Sequence, residues 1–145
     1  MIIANVENSI FDYEAAKNVI VLPITRYVRK DGNLVVKNEL TKHFFEKYPN
    51  LSKKWGYMIS QSVEYPTYET QKTSLLGLPD RSHYASSLNE EILTASLWYL
   101  KEQALIKFDC VFYVTEDNDL SKDILMEFFQ EVDNIVMFRK EHKDE

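Results

Sequence analysis

The sequence predicts an α/β layered fold, with a mixed central sheet of about six strands and helices packed on both faces. Two observations carry this prediction. Short apolar runs enriched in Val, Ile, Tyr and Phe alternate with segments whose apolar residues recur at helical spacing. The 145 residues also contain no repeat and no linker-like stretch, so residues 1–139 are expected to form one domain, followed by a charged tail over 140–145.

Six segments have the composition of strands and are bounded by polar residues. In chain order they are residues 2–6, 19–24, 57–63, 74–78, 109–114 and 134–138.

Three segments are predicted to be helices. The first begins at Asn38, a favourable N-cap residue, and ends before Pro49. The second begins at Ser87, where the run Ser-Leu-Asn-Glu has capping-box spacing, and the third begins at Ser121. Each has an apolar face: Leu40, Phe44 and Tyr48 in the first, Ile92, Leu93, Ala95, Leu97, Tyr99 and Leu100 in the second, and Leu125, Phe128, Phe129 and Val132 in the third.

The charge of the chain is concentrated at one end. Residues 1–109 hold 13 basic and 13 acidic side chains, whereas residues 110–145 hold 4 basic and 10 acidic, which is the whole net charge of −6. This sign opposes the main electrostatic term in nucleic-acid binding, so nucleic acid is not an expected partner. The acidic region predicts either a charge-steered contact with a basic partner or a role in solubility alone.

Cysteine and histidine usage favours a cytoplasmic protein without a cofactor or a metal. The single Cys110 lies in an apolar run and is expected to be a buried thiol in a reducing compartment. The sequence has neither a membrane span nor a signal peptide pattern. His43, His83 and His142 share no ligand spacing, and the acidic run 116–119 lacks the glycine and glutamate of a calcium loop.

Four stretches of the sequence resemble the macro domain family, especially short phage and bacterial members related to ADP-ribose 1''-phosphate phosphatases. They are residues 8–12 (NSIFD), 18–25 (NVIVLPIT), 31–49 (beginning DGNLVVKNELTK) and 76–84 (LGLPDRSHY). The last is similar to a strand end that reads Phe-Pro-Thr-Lys in the family. The resemblance spans nearly the whole chain and implies a macro-domain-like three-layer fold with an ADP-ribose-type cleft.

The residues that the family uses to bind its ligand differ here. The acidic residue that binds the adenine amino group aligns with Ser9, and the two asparagines near the distal ribose align with Leu22 and Thr25. Glycines that approach the diphosphate align with Lys37 and Glu39, whose side chains occupy space at that point. We expect the Glu39 carboxylate to occupy the vacated phosphate position at the helix start.

The second phosphate loop of the family is also altered. It aligns with residues 115–120, which contain no glycine but three carboxylates, Glu116, Asp117 and Asp119, beside Asn118. Carboxylates at this position would repel a diphosphate. The candidate ligand-binding residues are therefore Ser9, Thr25, Lys37, Glu39, Asp80, Arg81 and Asn118.

Catalytic residues are not defined by the sequence. Thr25, Asp80 and His83 are the weak candidates, and His83 lies at the end of a predicted strand, where open α/β sheets bind their ligands. No nucleophile elbow of the type Gly-x-Ser-x-Gly is present. Tyr65 and Tyr68, predicted to lie in a loop, are candidate partner contacts together with Glu116, Asp117 and Asp119.

These observations favour a divergent, non-catalytic macro-like module. Its cleft would bind a small nucleotide-like ligand other than ADP-ribose, or its surface would bind a protein partner. Two alternatives remain: an ADP-ribosyl or phosphate-ester hydrolase of the macro type, and a phage or mobile-element accessory or inhibitor protein that acts through protein contacts. The oligomeric state is not predicted.

Overall fold

The computed structural model describes residues 1–4, 10–117 and 119–138. Its strands are β1 (Ile2–Ile3), β2 (Asn18–Thr25), β3 (Thr67–Glu69), β4 (Ser74–Arg81), β5 (Val111–Thr115) and β6 (Ile135–Phe138). A 3-10 turn covers Ile10–Tyr13, and the α-helices are α1 (Glu39–Lys47), α2 (Leu51–Ser60), α3 (Glu90–Ile106) and α4 (Lys122–Phe129).

The six strands form one mixed sheet in the order β1-β6-β5-β2-β4-β3. All neighbouring pairs are parallel except β3 and β4, which are antiparallel at one edge. The central pair, β2 and β4, stays in register from Val19 opposite Ser74 until an irregularity between Ile24 and Thr25. Since β2, β4 and β5 run in the same direction, their carboxyl ends meet at one edge of the sheet.

Two apolar layers cover the sheet, as the alternation of β2 side chains requires. Val21 faces α3 and α4, where Leu97, Leu100, Leu125 and Phe129 are buried. The neighbouring side chains of β2, Ile20 and Leu22, face the 3-10 turn, α1 and α2, where Phe44, Leu51 and Trp55 are buried. The predicted three-layer arrangement with helices on both faces is confirmed.

One predicted strand is wrong. Residues 57–63 were expected to be extended because Tyr, Ile and Val favour strands, but they form the second half of α2 and the turn after it. Leu51 and Trp55 lie one helical turn apart and are both fully buried, so packing on the sheet overrides local β propensity. The sixth strand is instead β3, which contains Tyr68, so this tyrosine does not lie in a loop.

The predicted helix starts are close to the observed ones. Asn38 caps α1 by accepting from the backbone N–H of Thr41 at 3.1 Å, and Ser121 caps α4. The cap of α3 is Asn89 rather than Ser87. Cys110 is half-buried in the turn before β5 and not in the core. Among the helices of the described ranges, none has the length and apolar character that a membrane crossing needs.

Candidate functional site

A cleft of about 150 Å³ lies at the edge where β2 and β4 end. This is the edge at which open α/β sheets place their ligands. The N-terminus of α1 and the loop between β5 and α4 form its other walls. Its lining residues are Pro23, Ile24, Thr25, Lys37, Asn38, Asp80, Arg81, Asp117 and Asp119. The volume is below the range of roughly 300–1,000 Å³ that is typical of sites for drug-sized ligands.

The guanidinium of Arg81 is held entirely by the protein's own oxygens. Its Nε donates to Asp80 at 2.9 Å, Nη1 donates to the carbonyl of Ser86 at 3.1 Å, and Nη2 donates to Asp119. Only 6% of the Arg81 side chain is exposed. Hydrogen bonding to Asp80, followed by that to Asp119, raises the pKa of Arg81, so the guanidinium stays charged.

The surroundings of Asp80 act on the pKa of its carboxyl group in opposite directions. Burial raises the pKa of Asp80, and the negative charges of Asp117 and Asp119 raise it further. The hydrogen bond and the charge of Arg81 act in the opposite direction without cancelling the rise. The cleft therefore already disfavours another negative charge next to Asp80.

Asp117 connects two walls of the cleft. Its Oδ2 accepts from the side-chain Nδ2 of Asn38 at 3.0 Å, although 79 residues separate them in the chain. Its Oδ1 accepts from the backbone N–H groups of Asp119 at 2.9 Å and Leu120 at 2.6 Å. The loop after β5 is thereby fixed against the residue that caps α1.

The charge balance of the cleft is negative. The carboxylates of Asp80, Asp117 and Asp119 face two cations, Lys37 and Arg81, and Arg81 is already paired with two of these carboxylates. Lys37 is the exposed cation on the rim. A diphosphate entering this cleft would meet more negative than positive charge.

Of the two candidate ligand-binding residues Thr25 and Glu39, only Thr25 lies in the cleft. Thr25 lines the cleft, but its hydroxyl donates to the carbonyl of Val35 and accepts from the N–H of Tyr27 at 3.2 Å. The side chain of Glu39 is 80% exposed, forms an ion pair with Lys42 at 3.6 Å, and does not line the cleft. The carboxylate at the start of α1 that does line the cleft is Asp117, not Glu39.

His83 lies outside the lining of the cleft. Its Nδ1 accepts from the backbone N–H of Ala85 at 3.0 Å, and its ring stacks on Tyr84 with centroids 4.4 Å apart. The ring of Tyr27 also packs against His83, with centroids 4.3 Å apart, and contacts Tyr84 as well. The structure thus brings together Thr25, Lys37, Asp80, Arg81, Asp117 and Asp119, whereas Ser9 and Asn118 lie outside the described residues.

The residues predicted to contact a partner are packed within the fold. The Tyr65 ring stacks on Tyr99 with centroids 3.9 Å apart and planes 8° from parallel. Tyr68 packs against Tyr48, and the ammonium of Lys54 lies 5.2 Å from its ring. In the acidic loop, Glu116 accepts from the N–H of Lys122 at 3.0 Å, so all three loop carboxylates are hydrogen-bonded internally.

Asn38 is the residue of the cleft that sequence reasoning identified only as a cap. An N-cap asparagine carries a side-chain N–H₂ that capping leaves unused, and this was the available signal for a second contact. Within the described ranges, no cluster of three or more His, Cys, Asp or Glu side chains has an arrangement that could hold a metal ion.

No family model and no curated protein matches this sequence. Solved structures nevertheless share its fold. The macrodomain of Thermus aquaticus DarG has a TM-score of 0.72 at 11% identity, covering 97% of this chain and 99% of its own. The macrodomain of Mycobacterium tuberculosis DarG has a TM-score of 0.71 at 9% identity, with 97% and 99% covered. Thermosipho africanus DarTG in complex with ADP-ribose has a TM-score of 0.74 at 9% identity, covering 96% of this chain and 41% of its own.

The chain therefore has the fold of a macrodomain, in a divergent sequence. This confirms the resemblance that its four motif stretches carry. At 9–11% identity the likeness establishes the fold and leaves the ligand to be argued from the site. The more specific relation to phage and bacterial ADP-ribose 1''-phosphate phosphatases stays a prediction.

Proposed function

We propose that this chain is a non-catalytic binding module that has kept the macrodomain cleft but not its preference for ADP-ribose. The ligand is a small nucleotide-like molecule without a diphosphate. One observation carries the proposal: the buried guanidinium of Arg81 is bound to Asp80 and Asp119, so its charge is used inside the protein and not on a ligand. The small cleft volume and the surplus of carboxylates support the same conclusion.

The contacts of the catalytic candidates support the absence of catalysis. The Thr25 hydroxyl donates to a backbone carbonyl, and the Asp80 carboxylate is held by Arg81. His83 binds its own loop outside the cleft. A hydrolase of the macro type would need one of these groups to lie within hydrogen-bond reach of the reacting atoms.

The proposal is tested by a thermal-shift and calorimetry panel of the common nucleosides, their monophosphates and ADP-ribose. A ligand that binds the native state raises its apparent stability by mass action, so the uncharged nucleosides should raise the melting temperature more than their monophosphates do. ADP-ribose should not do so at millimolar concentration. A dissociation constant for ADP-ribose below about 10 μM, or roughly −7 kcal/mol, would contradict the proposal.

Two lysines provide a matched pair for locating the ligand. Lys37 lines the cleft just before the N-cap of α1, whereas Lys42 lies within α1 and pairs with Glu39 outside the cleft. Lys37→Ala should change the affinity for a ligand of the cleft, and Lys42→Ala should leave it unchanged. Equal effects of the two substitutions would place the ligand elsewhere on the protein.

A protein partner is the second candidate, as an accessory or inhibitor protein would require. The observation that favours it is an apolar surface at the end of α3, where Leu105, Ile106 and Phe108 are 62%, 62% and 82% exposed. A second copy of the chain is the occupant to test first, by sedimentation over a range of concentrations. Phe108→Ser should weaken self-association and Tyr57→Ser, at an exposed position of α2, should not. A wild type that remains monomeric would exclude a second copy of the chain as the occupant of this surface.

A further inference from the structure

The loop after β5 places the carboxylate of Asp117 beside Asn38, the N-cap residue of α1. The carboxylate of Asp117 accepts from the cap residue Asn38 and from two N–H groups of its own loop. Among the described residues, no Lys or Arg lies within ion-pairing distance of it. The hydrogen-bond partners of its carboxylate in the described residues are neutral N–H groups.

These donors are of the kind that bind anionic ligands. Side-chain amides, loop N–H groups and the positive end of a helix together stabilise phosphate and carboxylate groups in proteins. Here one such amide and two loop N–H groups bind a carboxylate that belongs to the protein itself. The cross-chain contact to Asn38 matters most, because it comes from a different element and is not required for the local turn of the Asp117 loop.

We infer that Asp117 determines the ligand specificity of the cleft, because its carboxylate stands where the anionic group of a ligand would bind. The inference rests on the proposed function, in which the cleft rejects a diphosphate, and names the residue responsible. An incoming anion would have to displace this carboxylate or approach it at close range. Arg81 cannot compensate, because Asp80 and Asp119 already bind it.

Glu39 provides a natural control for this inference. It carries the same charge and lies in the first turn of the same helix, yet its side chain is exposed and paired with Lys42. Any general effect of negative charge at the start of α1 should be shared by both residues. An effect of a carboxylate within the cleft should belong to Asp117 alone.

The experiment compares four variants with the wild-type chain, using inorganic pyrophosphate as the probe. Asp117→Asn removes the charge with little change of shape, and Asp117→Ser leaves a hydroxyl that can still accept from the loop N–H groups. Glu39→Gln is the matched control. Asn38→Ser keeps a capping side chain but is too short to reach Asp117. Binding is measured by calorimetry at low salt, and folding of each variant by circular dichroism.

We expect both Asp117 variants to bind pyrophosphate at least about tenfold more tightly than wild type. Glu39→Gln and Asn38→Ser should bind it as weakly as wild type, since each retains the Asp117 charge. If neither Asp117 variant binds more tightly than Glu39→Gln, the inference is overturned. It is also overturned if Asn38→Ser matches the Asp117 variants, because the bridge and not the charge would then exclude anions.

The two proposals fail in different ways. Tight binding of ADP-ribose by the wild-type chain contradicts the proposed function whatever the Asp117 variants do. A wild type that rejects ADP-ribose, together with Asp117 variants that gain no affinity for pyrophosphate, leaves the proposed function intact and removes Asp117 as its cause.

Discussion

Arg81 and Asp119 form an ion pair that joins the end of β4 to the loop before α4. The two partners are unequally buried: 6% of the Arg81 side chain is exposed, against 45% of the Asp119 side chain. The second partner of Arg81, Asp80, is also largely buried, with 13% of its side chain exposed. Removing the cation and removing the outer anion should therefore have different consequences.

The first prediction concerns this asymmetry. Arg81→Met leaves the buried Asp80 carboxylate without its cation and should lower the free energy of unfolding by about 3–5 kcal/mol. Asp119→Asn removes only the half-exposed partner and should cost about 1 kcal/mol or less. Urea denaturation of the two variants measures both quantities. Equal losses of unfolding free energy in the two variants would contradict the expected difference between removing the buried cation and removing the half-exposed anion.

The second prediction concerns the close packing of α2 on the loop before α1. A Cβ atom at Gly56 would lie 2.0 Å from the carbonyl oxygen of Gly32, which is backbone and cannot rotate away. Gly56→Ala should therefore destabilise the protein by about 3 kcal/mol or more. Gly32→Ala is the comparison, because it meets no atom within 4 Å and only the positive φ of 91° opposes it. That strain is worth about 1–3 kcal/mol. A smaller loss for Gly56→Ala than for Gly32→Ala would contradict the close approach.

The third prediction concerns the Tyr65 and Tyr99 stack. If the Tyr65 ring serves the fold, a double-mutant cycle of Tyr65→Leu and Tyr99→Leu should give a coupling energy of about 0.5–1.5 kcal/mol in stability. The near-parallel rings at 3.9 Å are the reason for expecting it. Thermal or urea denaturation of the four proteins gives the coupling. A coupling energy near zero would contradict a structural role for the stack and leave Tyr65 as a candidate contact for a partner.

The parts of the fold that sequence predicts are those fixed by local pattern. The caps of α1 and α4 and the apolar runs of β2 and β4 are readable because each depends on neighbours in the chain. β3 is three residues long, directly follows Pro66, and is held by pairing with β4, so the strand preference of Thr67 and Tyr68 covers too few residues to identify it. α2 was predicted wrongly because Tyr57 and Ile59 favour strands. The helical spacing of the buried Leu51 and Trp55, which identifies the helix, lies earlier in the segment.

The candidate site likewise contains residues that the sequence predicts and residues that it does not. Asp80, Arg81 and Lys37 are predictable as cleft residues, since strand ends and helix starts meet at one edge of a parallel sheet. Which carboxylate reaches the start of α1 is not predictable, because both Glu39 and Asp117 have the right charge and only the tertiary path of the loop distinguishes them. The two roles of Asn38 likewise depend on a contact between residues that are remote in sequence.

The last prediction concerns the contribution of Tyr48 to the dependence of folding stability on pH. Its hydroxyl donates to the Glu14 carboxylate, which also binds Lys47 and whose side chain is 1% exposed. Burial, followed by this hydrogen bond, raises the pKa of Tyr48 from 10.0 to about 12. The folded protein therefore holds the phenolic proton more tightly than the unfolded chain does. The stability that this provides is fully present below pH 10 and is lost as the pH rises from 10 towards 12.

Tyr48→Phe removes this titration and retains the ring. Below pH 10 the wild type should be more stable than the variant, since the hydroxyl donates to a buried carboxylate. Between pH 10 and 12 the difference in the free energy of unfolding should shrink, because only the wild type must lose a tightly held proton. Tyr57→Phe, at an exposed position, should follow the wild-type profile throughout. Urea denaturation at intervals of pH measures all three proteins, and a constant difference between wild type and Tyr48→Phe up to pH 12 would contradict the shifted pKa.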